Sequence, residues 1–233
     1  MTKPVCAIVG VGEGNGAALA RAFAREGMSL ALLARSTEFT DALARELDDA
    51  RSYSCDVSDP KSVADAFAKI RSDLGDPAVL IYNAGSGAWG DVETIDLEGF
   101  ESSWRVNALG ALAVSQQVIP GMKAAASGTI IFIGATASLR GGPRTAAFAP
   151  AKAAQRSLAE SMARTLWPQG IHVALIVIDA VVDLPRTRQN MPDKPDDFFL
   201  EPKDMAITAV WLAKQPRSAW SFEVDVRPFG EKW

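Results

Sequence analysis

The run Gly10-Val11-Gly12-Glu13-Gly14-Asn15-Gly16 constrains this chain more than any other feature, because of what flanks it. Before it stands Val5 to Val9, an unbroken apolar run of strand length. After it comes Ala17-Ala18-Leu19-Ala20-Arg21-Ala22-Phe23, a good helix former. Glycine at a strand-to-helix junction permits a turn closed to other residues and lets backbone N–H groups approach a ligand with no Cβ in the way. The helix N-terminus at the same point carries positive partial charge, so the junction suits a phosphate. Placed at the first βα unit, the pattern predicts a dinucleotide site over Gly10, Gly14, Asn15 and Gly16; a plain glycine-rich turn is the alternative.

The rest of the chain repeats that strand-helix grammar. Apolar runs recur at Leu30 to Ala34, Ser52 to Cys55, Ala78 to Tyr82, Thr129 to Ile133, Ile171 to Ile178 and Phe222 to Val226, which with the first makes seven strands. Helical spacing separates them, clearest in Trp104, Ala108, Ala111, Ser115, Val118 and Met122, and again in Ala151, Ala154, Leu158, Met162 and Leu166. Strands apolar throughout, alternating with helices, imply an α/β fold: a Rossmann-type doubly wound sheet of seven mainly parallel strands with helices on both faces. Nothing divides residues 1–233, which are expected to form a single dinucleotide-binding domain. One stretch departs from the pattern. Asp183 to Lys203 holds Pro185, Pro192, Pro195 and Pro202 among charges, follows the sixth strand on the ligand-binding edge of the sheet, and is expected to be a structureless substrate lid.

Further landmarks lie where such a site needs them. Asp56-Val57 follows the third strand, Asn83-Ala84-Gly85 the fourth, Asn107 sits within the central helix in Val106-Asn107-Ala108-Leu109-Gly110, and Lys152 lies in the next helix. In this order, and over nearly the whole chain, the sequence resembles the short-chain dehydrogenase/reductase family. The resemblance implies that Asp56 and Val57 contact adenine, that Asn83, Ala84 and Gly85 form the turn beside the cofactor, that Asn107 has a structural and catalytic part, and that Lys152 is the family's lysine.

The residue ending the second strand, about twenty positions past the last glycine, reads the adenosine ribose. Here it is Arg35, whose guanidinium favours a 2'-phosphate, so NADP is expected ahead of NAD. Glu13 in the glycine loop pulls the other way by repulsion. In the family a Tyr four residues before the Lys is the acid and a Ser upstream holds the substrate oxygen. This chain has Phe148 and Ala135 at those places, so both groups that touch a carbonyl oxygen are missing. The only tyrosines, Tyr53 and Tyr82, belong to the adenosine half of the sheet, and Thr136, Ser138 and Thr145 are alcohols too weakly acidic to replace a phenol. Asp179, ending the sixth strand where the family has Pro-Gly, is the best substitute acid; a strand-end Asp that bonds a loop N–H is the plainer alternative. Lys152 can hold the nicotinamide ribose even without the Tyr. His172 is expected to be structural.

Two functions remain: an NADP-dependent oxidoreductase with a non-standard active site, acting on a small molecule such as an activated C=C or C=N compound, or a catalytically silent NADP-binding sensor or scaffold. The net charge of -4, without long blocks of one sign, argues against nucleic acid, and no apolar run is long enough for a membrane span. Two cysteines, Cys6 and Cys55, without metal spacing fit a reducing cytoplasm and no metal. The small-residue faces of the two long helices suit a homodimer or homotetramer.

Overall fold

Strands β1 (Val5–Val9), β2 (Ser29–Ala34), β3 (Ala50–Ser54), β4 (Pro77–Tyr82), β5 (Gly128–Ala135) and β6 (Ile171–Ile178) join the C-terminal β9 (Glu223–Val226) in one sheet, ordered β3-β2-β1-β4-β5-β6-β9. The computed structural model describes residues 3–231. Every neighbouring pair is parallel, as expected of strands joined by helical crossovers. Residue alternation along each strand feeds two cores: Ala7 and Val9 of β1 face one, Cys6 and Ile8 the other. The first core is closed by α3 (Pro60–Asp73), α5 (Gly110–Ala124) and α6 (Phe148–Leu166) through Phe67, Val114 and Ala159. The second is closed by α1 (Asn15–Arg25), α2 (Glu38–Glu46) and α8 (Pro202–Ala213) through Leu19, Leu43 and Leu212. Strand order reverses beside β1, and the crevice opens there at the carboxyl ends of β1 and β4. Among the described residues no helix is long and apolar enough to cross a membrane.

Three local expectations need correction. The third strand is Ala50–Ser54, not Ser52 to Cys55, because its register is set by pairing from Leu30↔Ala50 to Ala34↔Ser54, which leaves Cys55 beyond the ladder. The central helix is α4 (Leu97–Trp104), a π-helical turn (Arg105–Leu109) and then α5. Side chains inserted into the hydrogen-bond ladder account for the widened turn. Asn107 Nδ2 donates to the Ser103 carbonyl at 2.8 Å, and the Tyr82 hydroxyl donates to the Val106 carbonyl at 2.5 Å.

The segment expected to be structureless is the third. It contains α7 (Pro185–Asn190), and Val181–Val182 (β7) pairs in parallel with Phe199–Leu200 (β8) outside the main sheet. Arg188 organises it. Its guanidinium donates to both Asp183 oxygens at 2.7 Å and to Asp196 at 2.5 Å, and lies 4.2 Å from the centre of the Phe199 ring. That pairing holds the Asp183 carboxyl below the usual carboxylate range. The sequence shows no regular structure here because Arg188 closes on Asp183 and Asp196 only in three dimensions.

Candidate active site

The glycines of the first loop have separate structural tasks. Gly10 has φ +85°, and a Cβ there would stand 2.4 Å from Cα of Ala84, so the chain can cross from β1 past the neighbouring loop only without a side chain. At Gly16 a Cβ would meet Cα of Val11 at 2.6 Å, which would push the start of α1 off the strand. At Gly14 the obstacle would be Leu184 Cδ2 at 2.5 Å, so this glycine lets the 183–203 segment rest on the loop. Only Gly12 has open space where a Cβ would go. Asn83 locks the turn: its Nδ2 donates to the Gly10 carbonyl at 2.7 Å, and its backbone N–H donates to Val9.

Two adjoining cavities share Gly10 and Asn83. The first, about 760 Å³, includes Arg35, Ser36, Asp56, Val57, Ala84 and Gly85 in its lining. The second, about 600 Å³, lies between the glycine loop, including Glu13 and Asn15, and Leu184, Pro185, Arg186 and Gln189 of the overlying segment. Every sequence-predicted cofactor residue except Lys152 thus lines one or the other of these two cavities. Asp56 is preorganised: its Oδ1 accepts from the Ser58 N–H and hydroxyl, which holds the carboxyl low, and Arg35 adds to the effect. Buried Asn15 Oδ1 has no partner within the protein, as expected of a group in a site made for a ligand.

Beyond the crevice lies the second set of predicted residues. Lys152 is 5% exposed; its Nζ donates to the Ile133 carbonyl at 2.9 Å and to Gln155 Oε1 at 3.1 Å, and burial pulls its ammonium down to about 8. Fully buried Asn107 donates through Nδ2 to the Ser86 carbonyl at 2.6 Å, while its Oδ1 has no partner. A Cβ built on Gly85 would lie 3.6 Å from that Oδ1 and 3.7 Å from Lys152 Nζ, so the two polar ends converge behind the turn that borders the crevice. The Phe148 ring packs against Gly87, 5.2 Å from the Trp89 ring and 5.9 Å from Lys152 Nζ.

Ala135 ends β5 opposite Ile178, which brings Thr136 beside Asp179. The Thr136 hydroxyl donates to Asp179 Oδ1 at 2.5 Å, and Asp179 Oδ2 lies 3.5 Å from Arg227 Nε. Oδ1 is therefore engaged as a hydrogen-bond acceptor, and Oδ2 stands in an ion pair. Tyr82 is buried with its hydroxyl committed to Val106, and Tyr53 donates to Asp73. His172 stacks on Trp220 at 4.8 Å, and burial lowers its pKa. Cys55 is buried and its thiol is pushed up to about 12, while burial raises the Cys6 thiol as well. Sequence reasoning did not single out Gln155, Arg227, Leu184 or Arg186. Gln155 alone left a signal, a second polar residue one turn past Lys152 on the inward face of its helix.

The family model for short chain dehydrogenases matches residues 4–193. The chain belongs to that family. Among curated proteins it is 30% identical over 208 residues to an inactive 2-(S)-hydroxypropyl-CoM dehydrogenase 2 from Xanthobacter autotrophicus, covering 83% of this chain and 90% of that one. Among solved structures it is similar to an alcohol dehydrogenase from Thermococcus sibiricus complexed with 5-hydroxy-NADP, at 27% identity and TM-score 0.87, covering 98% of each chain. A metagenomic short-chain oxidoreductase in complex with NADP is 28% identical, with TM-score 0.86 and 99% of each chain covered.

Proposed function

We propose that this protein is an NADP-dependent oxidoreductase with a non-standard active site, acting on a small molecule. The observation that carries the reading is the pair of adjoining cavities that meet at Gly10 and Asn83, one lined by Arg35 and Gly85 and the other by the glycine loop, with Lys152 behind Gly85. Two similar structures hold NADP or a derivative, which supports the cofactor. The loop N–H groups and the start of α1 would hold the pyrophosphate, Arg35 the 2'-phosphate, Asp56 and Val57 the adenine, and Lys152 the nicotinamide ribose. When bound, the cofactor supplies the hydride, and the protein's minimum task is to position it.

With Ala135 and Phe148 facing the reaction, charge developing on a carbonyl oxygen finds no phenol. An activated C=C or C=N bond fits better. Asp179 acts best here through Thr136, whose hydroxyl it orients, and Asn107 maintains the site by fixing the Ser86 turn. The 183–203 segment covers the crevice as a lid. Residues 1–233 act as one dinucleotide-binding domain in the cytoplasm, assembled as a homodimer or homotetramer.

A second reading, a silent NADP-binding sensor or scaffold, is favoured by the pairing of Asp179 with Thr136 and Arg227 and by the name of the Xanthobacter relative. Stereospecifically 4-deuterated NADPH, incubated with a panel of aldehydes, ketones, enones and imines, decides between them. Label in an enone or imine product supports the first reading; tight NADPH binding with transfer to no acceptor supports the second.

A further inference from the structure

Helix α6 carries a buried side chain that the reading above does not use. Gln155 is fully buried, one turn beyond Lys152. Its amide orientation is fixed by its neighbours. Oε1 accepts from the Lys152 ammonium at 3.1 Å, and Nε2 donates to the Asn107 carbonyl at 3.1 Å. A lysine offers only donors and a carbonyl only acceptors, so the amide fits one way round. The acceptor it reaches belongs to the π-helical turn, the one irregular stretch of the central helix.

We propose that Gln155 is a positioning residue: a neutral clamp between the Asn107 carbonyl and Lys152 Nζ that orients the ammonium and leaves one N–H for the ribose hydroxyls of a bound dinucleotide. The proposal rests on the cofactor reading above for its last step only. Lys152 has three N–H groups, and Ile133 and Gln155 take two. The remaining donor has the Gly85 turn beside it, where Asn107 Oδ1 is unpartnered.

The surroundings make the clamp's effect readable. Facing Lys152 Nζ are the Ile133 carbonyl from β5, Gln155 and the Phe148 ring from α6, Asn107 from the π-helical turn and Gly85 from the loop after β4. None of these is charged or titrates, so Gln155 is the adjustable influence on the ammonium. A Gln there accepts one bond without adding charge, whereas a carboxylate would add a full one.

The test follows the Lys152 titration in lysine-labelled, cofactor-free protein by NMR, in wild type, Gln155→Leu and Gln155→Glu, alongside NADPH affinity and the affinity of Lys152→Met. Gln155→Leu removes an acceptor from the charged form and is expected to move the titration down; Gln155→Glu is expected to move it up. Each displacement should be about one pH unit, a tenfold change in proton affinity. NADPH binding by Gln155→Leu should weaken about tenfold. A purely structural Gln would change melting temperature and leave the titration in place. An unmoved titration in the glutamate variant, which preserves side-chain shape, overturns the proposal even if the leucine variant does not fold. Unchanged NADPH affinity in Lys152→Met, with the titration moving as expected, instead removes the ribose contact and leaves the clamp standing.

Discussion

The sharpest test of the proposed catalytic reading is the double variant Ala135→Ser, Phe148→Tyr, which puts hydroxyls where that reading finds none. The Phe148 ring packs against Gly87 and lies 5.2 Å from the Trp89 ring, so a tyrosine ring has the same place to occupy. Its centre is 5.9 Å from Lys152 Nζ, so a phenol at that position sits within range of an ammonium. A cation at about 4–6 Å lowers a phenol from near 10 toward about 7–9, which suits general acid catalysis at neutral pH. Lys152, itself drawn down to about 8 by burial, remains mostly protonated at pH 7 and supplies that charge. Acid catalysis of this kind contributes about 10²- to 10⁴-fold, or roughly 3 to 5 kcal/mol of barrier. NADPH oxidation by activated ketones, followed by absorbance, should therefore rise from near background by at least about 10²-fold in the double variant. Each single variant should gain far less, because the two hydroxyls act on the same oxygen. Wild type reducing such ketones as fast as the double variant, with Asp179→Asn silent, would refute the reasoning, since an acid other than these would be at work.

Fluorescence titration should show tighter binding of NADPH than of NADH, and Arg35→Ala should reduce that preference by about tenfold. Stability should also report Lys152, which takes its proton near pH 8 when folded against 10.5 when unfolded. Between those values the unfolded chain holds the extra proton, so raising pH favours the fold. Denaturant titrations from pH 7 to 10 should show wild type gaining about 2.5 kcal/mol relative to Lys152→Met; parallel curves would contradict the burial of the ammonium. Arg188→Met should speed hydrogen exchange across residues 183–203 while leaving the main sheet protected, and equal exchange would show that the Asp183 and Asp196 pairs do not hold that segment. Light scattering at micromolar concentration should give a mass of two or four chains, whereas a monomer would exclude assembly through the long helices.

What the sequence determined by itself is what local chemistry dictates. An unbroken apolar run such as Val5–Val9, set between turn signals, reads as a strand buried on both faces, and the glycine run between β1 and α1 reads as a turn. Hence the sheet and its parallel sense were legible in the sequence, and Gly10, Arg35, Asp56 and Asn83, expected near a cofactor, line one cavity. That Phe148 and Ala135 carry no hydroxyl was equally plain, because side-chain chemistry is given by the residue alone. Tertiary structure decided the rest. Gly14 serves Leu184, a residue far along the chain, and no local pattern announces that contact. Asp179 faces Thr136 and Arg227 because strand pairing brings three distant segments to one edge, so its engagement as an acceptor could not be read from its position after Ile178. The π-helical turn and the order of residues 183–203 have the same origin. Each rests on side-chain bonds that no periodic pattern announces: Tyr82 reaches across 24 residues to Val106, and Arg188 closes an irregular loop on Asp196, eight residues on.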